Sequence, residues 1–416
     1  AGAEGLADIN VTLTTPDGKT LTKPLVLPIR RLDPEVTRRS RFALAAGDTF
    51  RFDREVFTGF APGSGSATLA AGPIARLDAP GLLAALDRYP YGCTEQITSR
   101  ALPLLYLNEV ATAMGLVGRN QLSTRIEQAV AEVLSNQASN GAFGLWRPAS
   151  GDFWLDAYVT DFLSRARNRG FDVPQVAFTT ALDNLRNRIN FAPDFDRGGE
   201  DIAYALYVLA REGAAAIGDL RYYADEKATA LATPLAKAQL GAALAAYGDP
   251  TRADTLFAAA ASDLTRPPET EARYWRSDYG THLRDSAAVL TLAVEAGSNA
   301  VNRDRLADAI APLQGGHARS TQEATWSLLA AHALVEDASG GGLSIDGAPP
   351  DGPLVRLLED ATDAGAIQIT NTGARETILT LTTFGVPEQP EPKGGNGYAI
   401  GRMYMTLDGV PVNPSS

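Results

Sequence analysis

The only cysteine of this 416-residue chain, Cys93, lies three positions before a glutamine, Gln96. Side chains three positions apart on a helical turn are neighbours, because their Cβ atoms are about 5–6 Å apart. If the thiolate of Cys93 attacked the side-chain amide carbonyl of Gln96 and ammonia left, the product would be an internal thioester. Water or an amine would open this bond, so the spacing predicts a stored acylating group.

The sequence around this pair decides between thioester chemistry and an inert thiol. A lone cysteine is more often a buried small hydrophobic residue than a reactive group. Residues 89–96, however, read Tyr-Pro-Tyr-Gly-Cys-Thr-Glu-Gln, so a Pro/Gly turn leads directly into a helical pattern. This string resembles the thioester motif of the α2-macroglobulin and complement family, in which Gly-Cys-x-Glu-Gln carries the bond. Residues 97–104 resemble the bacterial branch of that family.

The neighbours of the reactive pair form its expected environment. We expect the backbone N–H groups of the helix after Gly92 to point toward the ring and to stabilise an oxyanion on the acyl carbon. Glu95 suits a first helical turn as a solvated or capping carboxylate, which we favour over an acid/base role. Tyr89 and Tyr91 either cover the bond and exclude water or pack ordinarily at the edge of a domain.

The resemblance implies a function that this chain contains only in part. A complete family member traps a protease: cleavage of a bait region exposes the thioester, a lysine amine of the protease attacks the Gln96 carbonyl, and Cys93 leaves as a thiol. No bait region is recognisable here. The resemblance therefore implies the acylating fragment of a bacterial, broad-spectrum protease inhibitor that reacts once per molecule and is not a turnover enzyme.

The same resemblance implies partners and a location. The expected partners are the lysine amines of target proteases and the rest of a full-length macroglobulin chain. A periplasmic or cell-envelope location is expected, and no cofactor is. The sequence has no apolar run of 18 residues that would span a membrane. Its net charge of −12 argues against a nucleic-acid partner, because phosphate binding needs clustered Lys and Arg.

The positions of the histidines indicate which nucleophile reacts. In the complement branch a histidine from a distant loop takes over the acyl group and passes it to hydroxyls. The family's order of helices would put that residue between positions 189 and 200, where this chain has none. We therefore expect direct transfer to amines. His282, His317 and His332 are too widely separated to form a recognisable metal motif, so a structural or surface role is predicted for each.

The reactive string must be positioned by a mainly α fold with flanking β structure. Residues 10–71 alternate like strands, the sequence Asp-Ala-Pro at 78–80 is a helix start signal, and residues 367–370 and 377–384 are again strand-like. About twelve helical patterns lie between. Joined by short links, they predict six hairpins in a ring, an α/α toroid, with a right-handed helical solenoid as the alternative.

A helical block between two β segments is expected when it is inserted into a loop of a β-sandwich. The thioester domains of the α2-macroglobulin family are inserted in this way into a domain called CUB. We therefore predict four parts: the end of a macroglobulin-like region with the first CUB half at 1–76, the toroid at 77–338, the second CUB half at 339–392, and the start of a further macroglobulin-like domain at 393–416.

Two other kinds of function remain open from sequence. An α/α-toroid carbohydrate-active enzyme would use paired carboxylates at the mouth of the toroid, and Asp152, Asp156, Asp278 and Asp285 are candidates. A purely structural toroid that binds partners is the third possibility. Both leave the string from Cys93 to Gln96 as a coincidence.

Two aromatic clusters have different expected roles. The first is predicted to pack in the core, because several of its members repeat at helical spacing; it comprises Phe143, Trp146, Phe153, Trp154, Tyr158 and Phe162. The second, at residues 274–280, precedes a helix and could rim a pocket.

Overall fold

The computed structural model of the chain describes residues 5–29, 35–113, 119–266, 276–313, 319–337, 342–350, 354–360, 365–389, 394 and 401–413. Its helices are α1 (Pro73–Arg76), α2 (Ala79–Asp87), α3 (Thr94–Ala101), α4 (Asn108–Ala113), α5 (Arg119–Ser135), α6 (Phe153–Asn168), α7 (Gln175–Asn190), α8 (Glu200–Arg211), α9 (Ile217–Glu226), α10 (Pro234–Ala246), α11 (Pro250–Leu264), α12 (His282–Glu295), α13 (Arg303–Leu313) and α14 (Thr321–Asp337). Its strands are β1 (Gly5–Thr14), β2 (Thr20–Ile29), β3 (Val36–Leu44), β4 (Thr49–Phe52), β5 (Ser66–Ala71), β6 (Leu343–Ile345), β7 (Val355–Glu359), β8 (Ile367–Asn371) and β9 (Thr377–Gly385).

The helical block is a closed ring. Helices α3, α6, α8, α10, α12 and α14 form an inner circle in which each packs on the next and α14 returns to α3. Helices α2, α5, α7, α9, α11 and α13 pack on the outside of this circle. The predicted α/α toroid with flanking β structure is confirmed, and the solenoid alternative is wrong because the last inner helix contacts the first.

Most residues of α6, α8, α10, α12 and α14 are buried, because each of these helices is packed between others of the toroid. Small residues let them approach closely. A Cβ on Gly241 of α10 would lie 3.2 Å from the backbone oxygen of Ala253 and 3.3 Å from the ring of Phe257, both on α11. Truncating a fully buried phenylalanine such as Phe257 to alanine costs about 3–5 kcal/mol.

Two helices begin where capping residues predict. Thr233 accepts a hydrogen bond from the backbone N–H of Ala236, and Asp249 accepts one from Arg252, so α10 and α11 start immediately after them. Each cap contributes about 1 kcal/mol. These caps fix the starting points of two toroid helices from local sequence alone.

One predicted helix is broken in the structure. The helical pattern that follows the motif continues from residue 94 to about 114, which predicts a single helix, but α3 ends at Ala101, a 3-10 helix covers Leu102–Leu105, and α4 starts at Asn108. Pro103 has no N–H to donate and its ring opposes a continuous α-helix. The helix that carries the motif is therefore only eight residues long.

The strands on the two sides of the helical block pair with one another. A four-stranded sheet has the order β3-β9-β5-β7 and a three-stranded sheet the order β4-β8-β6, and all pairs are antiparallel. Phe52, Leu69, Ile369 and Leu379 are fully buried in one apolar cluster shared by both sheets. The helical block is therefore inserted into a β-sandwich, as the sequence predicts.

The ends of the chain lie outside the sandwich. Strands β1 and β2 pair only with each other among the described residues. Near the C-terminus a single bridge joins Met405 to Pro411, while Tyr398, Ala399 and Ile400, part of the predicted start of a further macroglobulin-like domain, lie outside the described residues. The four domain boundaries given above remain predictions.

A buried carboxylate ties the toroid to the sandwich. Asp78 caps α2 by accepting from Gly81 N–H, and it has a left-handed backbone conformation with a φ of 51°. Its carboxylate accepts from Thr382 of β9 at 3.0 Å and lies 3.1 Å from Nε of Arg39 in β3. Burial raises the pKa of Asp78 even though Arg39 acts against the shift. The ion pair therefore offsets part of the cost of burying this carboxylate at the junction.

Candidate functional site

Cys93 and Gln96 cap the first turn of α3 reciprocally. Cys93 is the N-cap residue, and its thiol accepts from the backbone N–H of Gln96. In return, Oε1 of Gln96 accepts from the backbone N–H of Cys93 at 3.1 Å. This is a capping box in which a cysteine takes the place of the usual serine or threonine, and it directs both side chains toward the same turn.

The thiol is shielded while the glutamine is only half-buried. Cys93 is 7% exposed, and burial raises the pKa of its thiol even though the backbone N–H groups of Glu95 and Gln96 oppose the shift. These N–H groups belong to the positive end of a helix, which favours negative charge on sulfur. On balance burial prevails and the thiol pKa is raised, while the two N–H groups offset part of the cost of a buried thiolate.

Two tyrosines lie beside Gln96. The Nε2 group of Gln96 donates to the hydroxyl of Tyr89 at 3.4 Å, and Tyr91 packs edge-on against Tyr89 with ring centroids 5.6 Å apart. Tyr91 is 62% exposed. A Cβ added at Gly92 would meet nothing within 4 Å, so this residue borders open space and no steric contact requires a glycine there.

The opposite edge of the site is formed by the loop between α5 and α6. Thr94 donates its backbone N–H to the oxygen of Leu145 at 2.8 Å and its hydroxyl to the oxygen of Gly144 at 2.6 Å. Trp146 follows and is 69% exposed, which contradicts its predicted core packing, because it lies in this loop rather than on α6. The other five members of the cluster are buried as predicted.

Tyr279, which precedes α12, also reaches this region. Its hydroxyl lies 3.4 Å from Oδ2 of Asp152, its ring packs 5.1 Å from that of Trp154, and its φ of 54° is rare for an aromatic residue. Burial raises the pKa of its phenol, and the charges of Asp152, Glu95 and Cys93 add to this. The predicted pocket rim at 274–280 thus contributes Tyr279, while Tyr274 and Trp275 lie outside the described residues.

The four candidate carboxylates of a carbohydrate-active enzyme have structural roles. Asp152 caps α6 at the N–H of Leu155. Asp156 is fully buried and accepts from the N–H of Phe143 and from Asn184, and burial raises its pKa to about 6. Asp152 and Asp156 therefore do not form a free pair of carboxylates for acid/base catalysis.

Asp278 and Asp285 are buried and belong to a cluster of four charges. Arg276 donates to both carboxylates, and Arg284 donates to Asp278 at 2.6 Å and lies 2.8 Å from Asp285. The net effect of these arginines holds the pKa of Asp278 below its usual range, although burial acts against it. The alternative of a carbohydrate-active enzyme is therefore not supported by these residues.

Glu95 is neither solvated nor a cap, contrary to the sequence prediction. It is 5% exposed, and its carboxylate accepts hydrogen bonds from Ser99 at 2.7 Å, from Thr321 at 2.9 and 3.0 Å, and from Gln322 at 2.7 Å. Sequence reasoning missed Thr321 and Gln322 because they lie on α14. Their only signal was the Ser-Thr-Gln-Glu capping box at 320–323, which predicts a helix start and nothing about its partner.

The described histidines do not lie in a metal site. His282 is the first residue of α12, and the ring of His332 on α14 packs 5.1 Å from that of Tyr106; His317 lies outside the described residues. Within the described ranges no group of three or more His, Cys, Asp or Glu side chains is arranged to hold a metal ion. No helix in those ranges is long and apolar enough to cross a membrane.

Comparison with known proteins finds relatives of this chain. The family model described as the A-macroglobulin TED domain matches residues 69–190, which include the whole motif. The α2-macroglobulin of Escherichia coli (strain K12) is 29% identical over 399 residues, covering 92% of this chain and 24% of that protein. The chain spans about a quarter of the length of this relative and of two from Xylella fastidiosa.

Solved structures agree over almost the whole chain. The crystal structure of native α2-macroglobulin from Escherichia coli, spanning domain MG7 to the C-terminus, matches with a TM-score of 0.75 and 26% identity, covering 99% of this chain and 67% of that one. Salmonella α2-macroglobulin reacted with methylamine matches with a TM-score of 0.74 and 28% identity, covering 99% of this chain and 28% of that one.

Proposed function

This chain belongs to the bacterial α2-macroglobulin family, and from that premise we propose that Cys93 and Gln96 form an internal thioester that acylates amines. The observation that carries the proposal is the reciprocal cap of α3, in which the thiol and the side-chain amide are fixed on one turn by two backbone hydrogen bonds. Formation of the bond needs no other reactant. The Cys93 sulfur bonds to Cδ of Gln96, the C–N bond breaks, and the thiol proton leaves with the nitrogen as ammonia.

The same turn supports the reverse, acyl-transferring step. A primary amine attacks Cδ of Gln96, an amide forms, and the C–S bond breaks to return Cys93 as a thiol. The first-turn N–H groups that point at the sulfur stabilise the charge on the departing thiolate. Tyr89, in contact with Gln96, limits the access of water to the acyl carbon.

We propose that amines react directly, without a histidine that takes over the acyl group. The loop between α7 and α8, where the complement branch carries that histidine, has none in this chain. Within this loop Asp194 pairs with Lys227 and Phe195 stacks on Tyr223.

In the full-length protein we propose that this chemistry serves a broad-spectrum protease inhibitor. Bait cleavage would expose the bond, and a lysine amine of the protease would be captured once per molecule, so the protein acts as a covalent trap and not as a turnover enzyme. Target proteases and the remaining macroglobulin domains are the proposed partners, in the periplasm or cell envelope. The match to a methylamine-reacted Salmonella relative supports the use of amines as probes.

A labelling experiment tests amine selectivity directly. The chain is incubated with a fluorescent primary amine or with the matching alcohol, and peptide mapping locates the label while thiol titration follows Cys93. We expect the amine on residue 96 with one thiol released per label, and no label from the alcohol. The matched control is Cys93→Ser, which keeps an N-cap oxygen but cannot form a thioester. Labelling of this variant, or equal labelling by the alcohol, would refute the proposal.

A further inference from the structure

Glu95 links the first turn of α3, which carries Cys93 and Gln96, to the first turn of α14. Its carboxylate lies between the two proposed thioester residues in sequence and accepts hydrogen bonds from Thr321 and Gln322, the first two residues of α14. These partners are 226 and 227 residues away along the chain. Because α3 is the first inner helix and α14 the last, this contact lies where the ring closes.

The contact is buried, and Glu95 is the acceptor in each of its hydrogen bonds. Ser99, Thr321 and Gln322 each donate to Glu95, and Ser99 and Gln322 are at most 1% exposed. Gln322 directs its amide N–H₂ to Glu95 and Ser99, while its own Oε1 has no hydrogen-bond partner. An acceptor-only group at position 95 therefore matches the donors that the first turn of α14 presents.

The α14 side of the contact is itself held firmly. Glu323 accepts from Ser320 N–H at 2.9 Å to complete a capping box, and it also accepts from the hydroxyl of Thr281, the N-cap of α12. Thr325, one turn further along α14, donates to the backbone oxygen of Ser99 at 2.8 Å. The first turn of α3 is thus docked on a rigid partner, but only once α14 is in place.

We propose that Glu95 is a positioning residue that makes formation of the thioester depend on closure of the toroid. This inference rests on the proposed function of Cys93 and Gln96. Before α14 docks, the eight-residue α3 keeps its own cap and the hydrogen bonds of Thr94 to Gly144 and Leu145 but lacks its contacts with α14, and isolated helices this short are unstable in water. Cys93 and Gln96 are then held less firmly in the geometry for ring closure. After docking, Glu95 fixes the turn, and the thiol and the amide react in the shielded site.

If the thioester forms only after the toroid has closed, it is never present in the unclosed chain, where water would hydrolyse it. Glu95 takes no proton in the scheme, and the leaving ammonia carries the thiol proton as described above. Loss of a hydrogen bond to a charged group corresponds to a factor of about ten to a hundred in an equilibrium or a rate. We expect removal of the Glu95 contact to slow ring closure by a factor in that range.

The experiment follows ring closure during synthesis of the full chain. Wild type, Glu95→Gln and Thr321→Val are made in a cell-free system and quenched with acid at intervals, and intact mass gives the fraction that has lost ammonia. Circular dichroism and thermal melting of each purified product report folding. Thr291→Val is the matched control, because it removes another buried threonine hydroxyl, on α12, that bonds only within its own helix.

A swap variant separates positioning from general destabilisation. In Glu95→Gln, the new amide N–H₂ opposes that of Gln322, whereas adding Gln322→Glu supplies an acceptor for it. We expect slow ammonia loss in Glu95→Gln and Thr321→Val, a rate near that of the wild type in Thr291→Val, and recovery in the swap. If Glu95→Gln does not fold, Thr321→Val and the swap still decide the question.

Two results would overturn the inference while leaving the thioester in place. One is wild-type ammonia loss in both Glu95→Gln and Thr321→Val. The other is equal slowing in Thr291→Val, which would show a general effect of stability. Absence of ammonia loss in the wild type itself would instead refute the proposed function on which the inference rests.

Discussion

Replacing Arg165 by methionine should destabilise the toroid strongly without altering its reactive turn. Arg165 is 1% exposed at the C-terminal end of α6. It bonds Glu295 through both terminal nitrogens, at 2.7 and 3.0 Å, Asp161 at 2.9 Å, and the hydroxyls of Tyr106 and Tyr207 at 2.9 and 2.8 Å. Although burial acts in the opposite direction, Arg165 holds the pKa of Glu295 below its usual range.

The size of the effect follows from the charges left behind. Arg165→Met keeps most of the side-chain volume but leaves Asp161 and Glu295 with Arg211 as the nearest cation, at 3.9 and 3.8 Å. Breaking a buried ion pair by removing one partner costs about 3–5 kcal/mol. For a unit of this size the melting temperature should fall by about 10 °C.

Urea unfolding followed by circular dichroism measures this loss. The double variant Arg165→Met with Glu295→Met should recover at least about 1 kcal/mol, because it removes the uncompensated carboxylate. Ammonia loss by the folded protein should not change, since the network joins helix ends opposite to those at Cys93. A loss below about 1 kcal/mol in the single variant, or no recovery in the double, would refute this reasoning.

Three further predictions follow from buried groups. Asp156 has a pKa of about 6 in the folded protein against an ordinary value of 3.8, so its ionisation weakens the fold progressively as the pH rises between these values. In urea unfolding at a series of pH values, Asp156→Asn should remove about 3 kcal/mol of this pH dependence. An unchanged dependence of stability on pH would contradict the prediction. Arg39→Met should destabilise the toroid–sandwich junction by about 2 kcal/mol in the same assay, and adding Asp78→Asn should restore part of this; no restoration would count against the buried pair. After amine treatment, alkylation of Cys93 should have a midpoint above the ordinary cysteine pKa, because burial raises it; a midpoint below that value would show that the helix end dominates.

Features set by neighbouring residues were predictable from sequence. The strand candidate at Val36–Leu44 is β3, and the Thr-Pro and Asp-Pro pairs at 233–234 and 249–250 place the starts of α10 and α11. The cap of α3 is equally local, because Cys93 and Gln96 are three positions apart. These elements depend on backbone geometry and short-range hydrogen bonds, which a single sequence displays.

Features set by distant contacts were not predictable. Glu95 looked like a solvated first-turn carboxylate because its partners on α14 are more than 220 residues away. Asp278 and Asp285 were misjudged for a different reason: Arg276 and Arg284 lie within nine residues of them, but the sequence does not show that the turn at the start of α12 brings the four side chains together. Trp146 shares the aromatic composition of its cluster, but its place in a loop rather than on α6 decides its exposure.

Intact mass spectrometry of the native chain, with and without methylamine, tests the central claim most directly. We predict that freshly made protein is lighter than its sequence mass by one ammonia, and that methylamine adds to residue 96 and frees one titratable thiol. Cys93→Ala should have its full sequence mass. An ammonia loss that persists in Cys93→Ala would contradict the assignment of the thioester to Cys93 and Gln96.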